Sequence, residues 1–80
     1  MKVLLATDFY ADFELYETDN PTGLKNYATL MVNGYDVDLD PKQYKLLGSN
    51  DNLTVDEVRA MADETIFISD LYTFEEGENA

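Results

Sequence analysis

Asn33-Gly34 constrains the fold of this chain more than any other pair of residues, because it fits two incompatible roles. Asn followed by Gly suits the left-handed end of a helix, and Leu24, Tyr27, Ala28 and Met31 precede it at helical spacing. The same dipeptide is also the preferred centre of a two-residue type I′ hairpin. In that register Val32 faces Tyr35, Leu30 faces Val37 and Ala28 faces Leu39. One side of the hairpin is then apolar, while Thr29, Met31, Asp36 and Asp38 occupy the other. That sorting favours the hairpin as the expected structure.

The remaining elements are read around it. "KVLLAT" (2–7) is a short apolar run with the character of a buried strand. "DFELYE" (12–17) alternates, with Phe13 and Leu15 on one face and Glu14 and Tyr16 on the other. "TDNPTG" (18–23) supplies turn chemistry. Asp40 followed by Pro41 predicts a short helix ended by Gly48. Thr54 with Glu57 forms a capping box, and Leu53 can staple against Val58, opening a longer helix over roughly 55–63. "TIFISDLYTF" (65–74) returns to strand composition, interrupted by Asp70, and residues 75–80 are expected to form a frayed acidic tail. The sum is a single α+β domain over residues 1–80. Its sheet is expected to be antiparallel, with four or five strands and one longer and one shorter helix packed on one side.

Composition narrows the chemistry. Seventeen Asp and Glu stand against five Lys and Arg, for a net charge of -12, and there is no Cys and no His. The absence of those two residues removes disulfides, thiolate metal sites and the commonest general base. No nucleotide-binding glycine loop and no nucleophile elbow is present, so the chain is read as a non-enzyme requiring no cofactor. The charge repels nucleic acid and anionic membranes, which leaves basic protein surfaces and cations as attractive partners. No apolar run approaches the length of a membrane span or a signal-peptide core, and the expected location is the cytoplasm. The 45% hydrophobic content, including six Tyr and four Phe, is too high for a disordered acidic tail.

Asp36, Asp38 and Asp40 stand at alternate positions, which on a strand are about 6.6 to 6.8 Å apart on one side. Such a row of anions offers a cationic groove something resembling a file of phosphates. The plainer alternative is the wet face of an ordinary hairpin. D-x-D-x-D also opens like a calcium loop. However, Pro41 stands where that loop needs Gly and Leu47 where it needs Glu, so no metal site is assigned. Tyr16, beside Glu14 on one strand face, is expected to be exposed and able to stack on an arginine.

In short length, strong acidity, absence of Cys and His, and spaced acids amid tyrosines, the chain resembles the small acidic proteins that phages and mobile elements encode against host defences. These include DNA-mimic antirestriction proteins and some anti-CRISPR proteins. The resemblance lies in composition and rests on no aligned motif. It implies a stoichiometric inhibitor acting in the host cytoplasm, one that occupies the basic nucleic-acid channel of a nuclease or surveillance complex without chemistry. The expected contact residues, drawn from the spacing above, are Asp36 and Asp38, followed by Glu14, Tyr16 and Asp40. The alternative is an interaction module that binds through an apolar patch or sheet edge and uses its acidity for solubility. A calcium-binding module ranks below both.

Overall fold

The computed structural model describes residues 1–7, 12–35 and 37–68. Asp36, Tyr10, Tyr72 and the expected strand and tail beyond residue 68 lie outside the described residues. The elements run β1 (Lys2–Ala6), β2 (Phe13–Thr18), α1 (Pro21–Val32), β3 (Tyr44–Ser49), α2 (Val55–Met61) and β4 (Glu64–Phe67). Among the described residues the strands form one four-stranded sheet in the order β3-β2-β1-β4. The chain is an α+β protein.

β1 explains the layering. Val3 and Leu5 pack with Tyr16, Leu24, Ala28 and Ile66, whereas Leu4 and Ala6 pack with Phe13, Leu15 and Val58. Successive strand residues point to opposite faces, so α1, carrying Leu24 and Ala28, and α2, carrying Val58, each cover a different face. The strand between them is buried on both sides and therefore reads as an unbroken apolar run. Where the helices were expected together on one side, this alternation gives each face its own.

The hairpin expected around Asn33-Gly34 does not form, because the competing helix takes residues 21–32. Pro21 occupies its first turn, where its missing N–H costs nothing. At the other end Gly34 adopts φ +86°, its N–H donates to the Met31 carbonyl (3.1 Å), and the Tyr35 N–H donates to the Leu30 carbonyl (2.9 Å). That pair of bonds around a left-handed residue is a Schellman stop. Its physical advantage is tertiary. A hairpin sorts its apolar residues well but leaves Val3, Leu5 and Tyr16 without a cover. The helix presents Leu24 and Ala28 to them and removes both from water completely.

Two further expectations are corrected. Asp40 does open a turn: its side chain accepts from the Lys42 N–H (2.9 Å), and its carbonyl accepts from Gln43 (3.0 Å) and Tyr44 (3.1 Å). The chain then extends into β3 instead of continuing as a short helix. Pairing with β2 (Tyr44 beside Thr18, Lys45 beside Glu17, Leu46 beside Tyr16) satisfies backbone groups on two strands at once, which two turns of helix cannot do. The register shifts by one between Leu15, which faces Gly48, and Tyr16, leaving Leu47 as the extra residue of a bulge. The sheet is mixed and not wholly antiparallel, since β4 runs parallel to β1 after α2 crosses over.

Thr54 caps α2 through its side chain, and Glu57 returns to the Thr54 hydroxyl instead of the backbone N–H that a capping box uses. The Glu57 N–H donates to Thr54 Oγ1 (3.2 Å), and the Thr54 hydroxyl donates to Glu57 Oε1 (3.0 Å). Leu53 packs against the cluster that contains Val58. Asp56 and Glu57 sit in the first turn and Arg59 in the last, as the helix dipole favours. The Arg59 guanidinium also lies over the Phe67 ring, 5.6 Å from its centroid.

Candidate binding surface

Asp38 and Asp40 lie on the exposed, irregular segment between α1 and β3. That segment is not a strand, so the evenly pitched row of carboxylates expected from the sequence is corrected to a loop. Asp36 lies outside the described residues. Asp40 is partly occupied by the Lys42 N–H, while Asp38 is exposed.

Glu14 and Tyr16 occur together, but not on the surface. Tyr16 is only 5% exposed and belongs to the α1-side core with Val3, Leu5 and Leu24. Its hydroxyl donates to the half-buried Glu14 carboxylate (3.2 Å). The expectation of an exposed, arginine-stacking Tyr16 is therefore corrected. The cause is that α1 covers this face, which the Asn33-Gly34 hairpin would leave open. Burial, reinforced by the negative charge of Glu14 and the bond to it, raises the Tyr16 phenol well above its ordinary pKa.

The unfolded chain releases the Tyr16 proton near pH ~10, whereas the folded chain keeps it, so the folded form binds more protons above that pH. The contribution of Tyr16 is fully present below about pH 10 and falls by about 1.4 kcal/mol per pH unit above it. Tyr16→Phe is expected to cost about 1 kcal/mol at neutral pH through the lost hydrogen bond. The variant should then lose stability less steeply than the parent between about pH 10 and 11. Urea midpoints of both proteins across that range are the measurement, and parallel curves would show the phenol to be freely ionisable.

Other acids gather at positions that no sequence motif marks. The terminal ammonium of Met1 pairs with Glu17 Oε1 (3.0 Å), and Asp63 accepts from the Lys2 N–H (2.9 Å). The hydrogen bond to Glu17 raises the pKa of that ammonium, and the charges of Glu17, Asp19 and Asp63 act in the same direction. Lys25 pairs with Glu64 (3.0 Å). Were every basic side chain so engaged, twelve acidic ones would remain, as the net charge states.

One apolar feature has no counterpart in the sequence expectations. Leu46 and Leu47 in β3 are 51% and 38% exposed, and β3 is an edge of the sheet among the described residues. The expected short helix hid this. Only the pairing with β2 turns "YKLLGS" into an edge strand, and no local signal marks it as one.

A depression of about 460 Å³ lies beside α2, lined by Phe13, Leu53, Thr54, Asp56 and Arg59 among others. Among the described residues no group of three or more Asp or Glu is placed to hold a metal ion, and no helix is long and apolar enough to cross a membrane. The chain matches no protein-family model, no curated protein and no solved structure. Among the described residues the strands and helices define a class of fold, a mixed four-stranded α+β arrangement, in a chain of net charge -12.

Proposed function

We propose that this protein is a non-catalytic inhibitor that binds a basic, nucleic-acid-binding surface of a host defence complex or nuclease, acting in the cytoplasm, the host's if it is phage-encoded. The observation that carries this reading is the unneutralised exterior. The net charge is -12, and Asp12, Asp19, Asp38, Asp40, Asp51, Asp56 and Asp63 are exposed. Carboxylates fixed on a folded scaffold attract an Arg/Lys-lined groove over a Debye length and accept charge-assisted hydrogen bonds on contact. They compete there with phosphates, so no chemistry is needed. Without a strand to pitch them, Asp38 and Asp40 act as part of a general anionic surface and not as a regular file.

The test replaces Asp38 and Asp40 with lysine and compares capture of nucleic-acid-binding complexes at low and high salt. Charge reversal is expected to reduce capture at least about tenfold at physiological salt, with the parent losing its advantage as salt rises. Capture that is unchanged by the reversal removes this loop from the reading.

A second reading is favoured by the half-exposed Leu46 and Leu47 on the edge strand. An interaction module binding there would hold its partner in molar salt and lose it on truncation of those leucines.

A further inference from the structure

Asn33 is followed by glycine, and no other asparagine in the chain is. The pair has a reactivity of its own. An asparagine amide carbon is placed to close a small ring with the backbone nitrogen of the next residue, and glycine, with no Cβ, leaves that nitrogen unhindered. Attack of the Gly34 nitrogen on Asn33 Cγ forms a new C–N bond. Cleavage of the Cγ–Nδ2 bond then releases ammonia, which carries away the proton lost by the Gly34 nitrogen. Water opens the cyclic imide at either carbonyl, leaving an aspartyl residue or an isoaspartyl one whose backbone runs through the side chain. Asn33 and Gly34 are both exposed, so water reaches them.

The fold holds this reaction back. Asn33 ends α1 with φ -83° and ψ 0°. At that ψ the Gly34 nitrogen lies toward the backbone nitrogen of Asn33 and is turned away from Cγ, so ring closure needs rotation about the Asn33 Cα–C bond. The rotation breaks both bonds of the Schellman stop, from the Gly34 N–H to the Met31 carbonyl (3.1 Å) and from the Tyr35 N–H to the Leu30 carbonyl (2.9 Å). The nitrogen that must attack is the one that the helix end holds.

We propose that Asn33 is a self-modification site, at which imide formation with loss of ammonia is gated by the Schellman stop of α1. Conversion proceeds from the state in which the last turn is open, and its rate follows the population of that state. The product then alters the gate. Either form places a carboxylate at the carboxyl end of α1, where the helix dipole disfavours it and no basic residue stands in the last turn. The isoaspartyl form also adds a carbon to the backbone, which displaces the Gly34 and Tyr35 N–H groups from their acceptors. Leu24 and Ala28, fully buried, keep the earlier turns docked. The loosened part leads into the segment of Asp38 and Asp40, which gains a further negative charge beside it.

The experiment incubates the folded chain in mildly alkaline buffer beside a synthetic peptide of residues 29–37. Peptide mapping by mass spectrometry locates the change at position 33, and enzymatic carboxyl methylation detects the isoaspartyl form. Conversion is expected to be at least about tenfold slower in the chain than in the peptide, a ratio that corresponds to about 1.4 kcal/mol of opening free energy. Tyr35→Pro removes one of the two stop bonds and leaves Asn33-Gly34 intact. The chain carrying it should convert nearly as fast as a peptide with the same change, with far-UV circular dichroism confirming that it is folded. In the parent chain, conversion and hydrogen exchange of the Gly34 amide should rise in step in sub-denaturing urea, a comparison that does not depend on the variant folding. An Asn33 that stays intact in the Tyr35→Pro chain, a parent chain that converts as fast as the peptide, or conversion that does not follow Gly34 exchange overturns the proposal.

Discussion

Leu24→Ala is expected to lower the stability of this protein by about 2–5 kcal/mol, a large part of the total for a chain of 80 residues. Leu24 is fully buried, and it is one of two residues, with Ala28, that α1 buries completely against the sheet. Truncation removes apolar contacts with the Val3, Leu5 and Tyr16 face. It also leaves a cavity that a two-residue anchor has little means to collapse. The urea midpoint and the helical circular dichroism signal measure the effect, and both should fall. The result also separates the two structures that Asn33-Gly34 permits. In the hairpin, Leu24 would precede the first paired residue and its truncation would be mild, so a loss below about 1 kcal/mol contradicts a packed α1.

The second large effect is expected at Gly23. A Cβ built there meets the hydroxyl and ring of Tyr44, so Gly23→Val forces that ring off the helix. Tyr44 is the first residue of β3 and packs against the α1-side core, so its displacement loosens the contact between helix and edge strand. Overpacking of this kind costs about 1–3 kcal/mol, more than the small helix-propensity gain from replacing glycine. The double variant with Tyr44→Ala isolates the cause. Where the aromatic ring is absent, the valine should be nearly neutral, giving a coupling energy of about 1–2 kcal/mol between the two sites. Equal costs with and without Tyr44 would place the strain elsewhere.

Both predictions concern contacts that the sequence could not display. Gly23 reads as part of a turn, and Tyr44 as the residue to which Leu39 staples at the start of a short helix. Their apposition depends on β3 pairing with β2 some thirty positions earlier in the chain. The candidate site was legible to a similar degree. The acidity is a property of composition and holds in any fold, but the arrangement of the acids is not. Asp38 and Asp40 lost their strand pitch when residues 21–32 became a helix, and the same helix buried Tyr16. One choice at Asn33-Gly34 thus altered three site residues together.

The sequence alone determined what depends on neighbouring residues: the β1 and β2 strands, the Thr54–Glu57 cap with its helix, the α+β class and the net charge. Each rests on interactions within a few positions or on composition, which no later folding step reverses. Tertiary structure alone decided between helix and hairpin at residues 21–39, strand and helix at 44–49, and the direction of β4. In each of those segments the local preferences were close to balanced. The outcome was set by which alternative covered an already formed apolar face or completed an unpaired strand, and that information lies in distant parts of the chain.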